Sequence, residues 1–145
     1  MKRPNKILSV LCLFLMVCSA CLSFAAAEDL DTPIDEDIPV DLQYISMAKC
    51  NLTISNGTAN ISSAVRGDPG STTKCKIELS LQDKTLIWWS TVESWSKTEL
   101  NYQTTLNVSY PVVSGKTYRA IAVVTVWNGS NSETTTVISA SVKAP

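Results

Sequence analysis

From residue 44 onward, apolar side chains recur at every second position, with Ser, Thr, Asn or Lys between them. That rhythm marks half-buried β-strands, since a helix would repeat its apolar positions every three or four residues. The clearest run sets Leu100, Tyr102, Thr104, Leu106, Val108 and Tyr110 against Asn101, Gln103, Thr105, Asn107 and Ser109. One face of such a strand packs and the other is wet. Cys50, Leu52 and Ile54 form another inward row, followed by Ser55-Asn56-Gly57 and then by Ala59, Ile61, Ser63 and Val65. Asn-Gly is the strongest short hairpin signal, because the tight turn that matches strand twist needs positive φ at both central residues.

Arg66-Gly67-Asp68-Pro69-Gly70 closes that strand, and a third turns Cys75, Ile77, Leu79 and Leu81 inward. A fourth lies near Trp88 to Trp95. Tyr118 to Trp127 is apolar on almost both faces and reads as a central strand. Asn128-Gly129-Ser130-Asn131 turns it into a last strand, Thr134 to Val142. This predicts an all-β, seven-stranded immunoglobulin-like or fibronectin-like sandwich over residues 44–145. Gly115-Lys116-Thr117-Tyr118 adds a local expectation: a Tyr entering a long strand after a Gly-containing turn can bond its hydroxyl back to the preceding loop.

The blocks Ser63-Ala64-Val65-Arg66-Gly67, Thr72-Thr73-Lys74, Leu79-Ser80-Leu81-Gln82, Trp89-Ser90-Thr91-Val92, Ser94-Trp95-Ser96, Gly115-Lys116-Thr117-Tyr118-Arg119 and Ser132-Glu133-Thr134-Thr135-Thr136 also occur in an informative order. In that order, from Tyr44 to about Lys143, the chain resembles a family of short secreted Firmicutes proteins carrying a domain of unknown function. The resemblance implies secretion by a Gram-positive bacterium and supplies no activity or site residue.

Residues 1–27 change the picture of the whole. A basic start (Lys2, Arg3, Lys6), an apolar run from Ile7 to Phe24 and the small residues Ala25, Ala26 and Ala27 form the three zones of an export signal, with cleavage expected before Glu28. An alternative is lipidation at Cys21, which follows Ser19 and Ala20. Of five cysteines, Cys12, Cys18 and Cys21 lie in the signal, leaving Cys50 and Cys75 as one pair. In an oxidising compartment, with no Cys-x-x-Cys spacing, that pair is expected to be a disulfide.

The mature chain from Glu28 has 13 acidic and 9 basic residues, and Glu28, Asp29, Asp31, Asp35, Glu36, Asp37 and Asp41 fall in residues 28–43 with no base among them. Together with Pro33 and Pro39 they predict an extended acidic spacer. No Asp-x-Asp-x-Asp-Gly loop is present there, so no calcium site is expected, nor any other metal or cofactor. The absence of histidine from the whole chain removes the usual general base, the usual partner of a Ser or Cys nucleophile and the commonest metal ligand. An enzyme would have to draw on Asp68, Glu78, Asp83, Glu93, Glu99 and Glu133, none of which the sequence places on a shared cleft. No catalytic residue is therefore predicted.

Candidate binding residues are aromatic. Trp88 and Trp89 must point to opposite faces of their strand, and Trp127 lies on the face opposite Tyr118 and Val124. These three are the candidate ligand-binding set, suited to stacking on a glycan or packing on a protein surface. Asn51-Leu52-Thr53, Asn56-Gly57-Thr58, Asn60-Ile61-Ser62, Asn107-Val108-Ser109 and Asn128-Gly129-Ser130 have the form of glycosylation sequons, but strand and turn chemistry explains them better. Arg66-Gly67-Asp68 reads as a turn before it reads as an adhesive tripeptide, and the scattered Lys and Arg residues do not form a nucleic-acid patch.

The resulting expectation is a secreted, non-catalytic binding or cell-envelope-associated module with no membrane span in the mature chain. A self-assembling surface protein and a lipid-anchored exported protein are the alternatives. No sorting motif or hydrophobic tail follows Val142-Lys143-Ala144-Pro145, so release into the medium is the expected destination.

Overall fold

The computed structural model describes residues 42–145. The expected export signal, its cleavage or lipidation at Cys21, and almost all of the acidic spacer lie outside the described residues. Eight strands follow one another: β1 (Ile45–Ser55), β2 (Thr58–Gly67), β3 (Lys74–Thr85), β4 (Trp88–Glu99), β5 (Gln103–Pro111), β6 (Thr117–Asn128), β7 (Asn131–Ile138) and the short β8 (Val142–Lys143). They form two antiparallel sheets. One has the order β1-β2-β5 and the other β4-β3-β6-β7, with β8 added on β6. This is the immunoglobulin-like or fibronectin-like sandwich that the alternation predicts.

The inward rows are those of the sequence pattern. Ala59, Ile61, Ser63 and Val65 of β2 face Cys75, Ile77, Leu79 and Leu81 of β3 and the small or branched row Ala120, Ala122, Val124 and Val126 of β6, all buried. Small residues on β6 let the sheets approach while longer ones on β3 fill the gap between them. The β1–β2 hairpin turns on Asn56 and Gly57, with φ of 51° and 70°. Tyr118 is buried, and its hydroxyl oxygen accepts the Val113 N–H at 2.9 Å, the expected bond back to the preceding loop.

Three expectations shift. The run from Leu100 to Tyr110 does not form one strand: β4 extends to Glu99, the chain bends, and β5 starts only at Gln103, leaving Leu100 86% exposed. The last strand is interrupted after Ile138, where Ser139 turns its hydroxyl to the Ala120 N–H before β8 resumes the pairing.

The third correction concerns the cysteines, which are free buried thiols and not a disulfide. Cys50 sits on β1 beside the Ser139 backbone, and Cys75 on β3 beside that of Gly67. Gly67 is the β2 partner of Ile45, five residues before Cys50 on β1, which sets the thiols on the order of 15 Å apart. A disulfide needs Cα atoms within about 7 Å. Burial pushes the Cys50 thiol up to about 11, against a hydrogen bond from Ser139. Burial likewise raises Cys75, opposed by the Gly67 backbone and reinforced by the Glu99 carboxylate. Thermal unfolding is therefore expected to give the same midpoint with and without reductant, and iodoacetamide to label neither thiol until the domain unfolds. A midpoint that falls on reduction would restore the disulfide.

Candidate functional site

The two ends of the sandwich differ. Register places the β1–β2 turn, the β3–β4 turn and the β5–β6 loop at one end, where Val112 N–H bonds Gly57 C=O at 2.9 Å and Lys116 pairs with Asp83. The other end holds the β2–β3, β4–β5 and β6–β7 connections and the point where the chain enters β1. There the Glu133 carboxylate of β7 accepts three consecutive backbone N–H groups, from Gln43, Tyr44 and Ile45, at 2.8, 2.7 and 2.8 Å. Burial works against its ionisation more than any single contact favours it, but the three donors together hold the carboxyl below its ordinary range.

The β3–β4 turn is the unusual element. Thr85 pairs with Trp88, so Leu86 and Ile87 alone make a two-residue hairpin loop. Leu86 has φ of 54° while Ile87 stays negative, the pattern of a turn that prefers Gly at its first central position. A bulky side chain there is strained. Leu86, Ile87 and Trp88 are 90%, 78% and 70% exposed. Neither Leu nor Ile is a turn former, so sequence reading had no punctuation to find here. The available signal was four consecutive apolar residues, Leu86 to Trp89, breaking the alternation.

Alternation separates the predicted tryptophans as expected, but neither Trp88 nor Trp89 fills the core. Trp88 has the inward phase yet projects past the end of the sandwich. Trp89 lies on the outer face of the larger sheet, with the Arg119 guanidinium 4.2 Å and the Lys84 ammonium 5.9 Å from its ring centroid. Trp127 is on the same outer face eight residues along β6 from Arg119, under Lys74 at 3.9 Å. That spacing is about 26 Å at the strand rise, so the two rings do not form one platform. Trp95 is the tryptophan that packs on the core, edge-on to Tyr110 at 6.0 Å.

The carboxylates each have a partner of their own. Glu78 pairs with Lys76 and Glu99 with Lys97, both at 2.8 Å. Glu93 accepts the Ser94 N–H at 2.9 Å, and Asp68 accepts Gly70 N–H and the Ser71 hydroxyl, which hold its carboxyl below the usual range. Asp68 thus folds back on its own loop, as the turn reading of Arg66-Gly67-Asp68 requires. No group of three or more Cys, Asp or Glu suited to a metal occurs among the described residues. Asn51, Asn60 and Asn107 share the outer face of the smaller sheet with Thr53, Ser62 and Ser109, around a depression of about 360 Å³. Ser109 donates to the Asn60 side chain at 2.8 Å, which is the strand chemistry expected of these sequon-like triplets.

The fold and this surface define a two-sheet β-sandwich domain with an apolar hairpin tip at one end. No protein-family model matches the chain, and no curated protein is significantly similar to it. Among solved structures it is similar to the solution structure of R. palustris CsgH, at 17% identity and a TM-score of 0.35, over 67% of this chain and 92% of that one.

Proposed function

We propose that the chain is an exported, non-catalytic binding module, associated with the cell envelope or released from it, which engages its partner through the β3–β4 hairpin. The observation that supports this reading is the exposure of Leu86, Ile87 and Trp88 on a turn whose backbone would be relaxed by Gly. A strained, apolar tip lowers solubility and stability, so its value must lie in contact with something else. The export signal expected from the sequence and the resemblance to secreted Firmicutes proteins support the exported reading. Histidine-free composition and carboxylates engaged in separate contacts favour binding over chemistry.

Edge-to-edge self-assembly is the weaker reading. Of the four edge strands β1, β5, β4 and β7, β4 carries a bulge between Thr91 and Glu93 and the charges Glu93, Lys97 and Glu99. Such features discourage strand addition. Lys97 also reaches across to the Thr105 carbonyl at 2.9 Å, tying this edge to β5.

The test replaces the tip by the relaxed turn Asn-Gly, Leu86→Asn with Ile87→Gly, and adds Trp88→Thr. Wild-type and variant are compared on glycan arrays, envelope proteins and phospholipid vesicles, with thermal melts in parallel. The variant is expected to melt at the same or a higher temperature and to lose the binding that the wild-type shows. A variant that binds as well as the wild-type places the contact elsewhere and sinks the proposal.

A further inference from the structure

The end of the sandwich that carries the apolar tip is also its basic end. Lys84 stands two residues before the tip, and Arg119 and Lys84 flank Trp89 behind it. Lys116 lies in the β5–β6 loop, and Lys143 on β8 pairs with Thr117 at the start of β6. The acids near this end are Asp83, buried and already paired with Lys116, and Glu93, one register step behind Arg119 and accepting the Ser94 N–H. Asp68, Glu99 and Glu133 belong to the opposite end. Val113, in the same loop as Lys116, adds a fourth exposed apolar side chain at 60% exposure.

We infer that this end docks on an anionic lipid surface, with Leu86 and Ile87 entering the acyl boundary, Trp88 at headgroup level, and Lys84, Arg119 and Lys143 against the headgroup phosphates. The inference rests on the reading that the hairpin tip is the contact surface. Shape and charge select the occupant. A two-residue turn is convex and narrow, and it penetrates a fluid interface without needing a preformed pocket. Tryptophan favours the membrane–water interface because its ring is apolar and its N–H is not. Each lysine or arginine near an anionic leaflet strengthens association several-fold, and long basic side chains reach headgroups while their stems stay apolar. The chain enters the domain at the far end, through the Glu133 clamp, opposite the tip.

The experiment is co-sedimentation of the protein with vesicles of phosphatidylcholine alone and of phosphatidylcholine mixed with phosphatidylglycerol. Binding is expected to the mixed vesicles only, to weaken with salt, and to carry a blue shift of tryptophan emission that Trp88→Phe reduces. Leu86→Asn with Ile87→Gly should abolish it, and Lys84→Gln with Lys143→Gln should weaken it about tenfold or more, both without lowering the melting temperature. Tip-dependent binding to a glycan or protein but to neither vesicle overturns the lipid assignment and leaves the binding module standing. Tip-dependent dimerisation in light scattering makes a second copy the occupant and likewise overturns it. Vesicle binding that survives the tip substitution overturns both readings.

Discussion

Leu79→Ala is expected to destabilise the domain by about 3 kcal/mol, and by up to about 5 if the cavity does not collapse. Leu79 is 1% exposed at the centre of β3, between Trp95 on β4 and Ala122 on β6. The neighbouring inward row on β6 is small, so it cannot fill the vacated volume. For a domain of this size the loss corresponds to a melting temperature lower by about 15 °C. Ile77→Val, which removes one methylene at an equally buried site, is expected to cost about 1 kcal/mol. Urea unfolding of the two variants measures both, and equal costs would show that the core is looser than its burial implies.

Glu133→Ala carries the second large effect, about 2 kcal/mol, because three backbone donors lose one charged acceptor. The loss is local as well as global. Gln43 and Tyr44 lie ahead of β1 with no strand partner, and cleavage by a protease near Tyr44 should accelerate in the variant. The pH dependence has a definite sign. The folded carboxyl ionises below the 4.5 of an unperturbed glutamate. Its contribution is therefore complete above about pH 5.5 and is lost as pH falls through the folded value. The stability difference between wild-type and Glu133→Ala should be flat near neutrality and shrink below about pH 4.5. A difference that stays constant into strong acid would mean that the carboxylate charge contributes nothing to the clamp.

The tip substitution and the Cys50 and Cys75 thiols test different parts of the same picture. Relaxing the Leu86–Ile87 turn removes strain and should not destabilise. The thiols sit in the packed interior, where reductant has no bond to break.

The alternation of β2, β3 and β6 was legible because a strand sends every second residue to one face, whatever it pairs with. Inward rows, the Asn56-Gly57 turn and the Tyr118 hydroxyl bond are all consequences of short-range geometry, and so the sequence by itself determined them. The same rule also misled: the rhythm continues through Leu100 and Tyr102, but the chain must bend there to leave one sheet for the other.

What lies across strands was decided only by tertiary structure. Cys50 and Cys75 look like partners until β1 and β3 are seen in different sheets, at different heights. Glu133 meets residues nearly ninety positions away in the chain, a distance no local pattern encodes. Which of Trp88 and Trp89 is solvent-facing depended on where the sandwich ends, not on the parity of the strand. The Leu86–Ile87 turn escaped sequence reading because turn prediction looks for residues that favour the backbone, and here the backbone carries residues that oppose it. Local periodicity thus specified the strands and their faces, while the crossing of two sheets decided which distant side chains met and which were left exposed at the basic end.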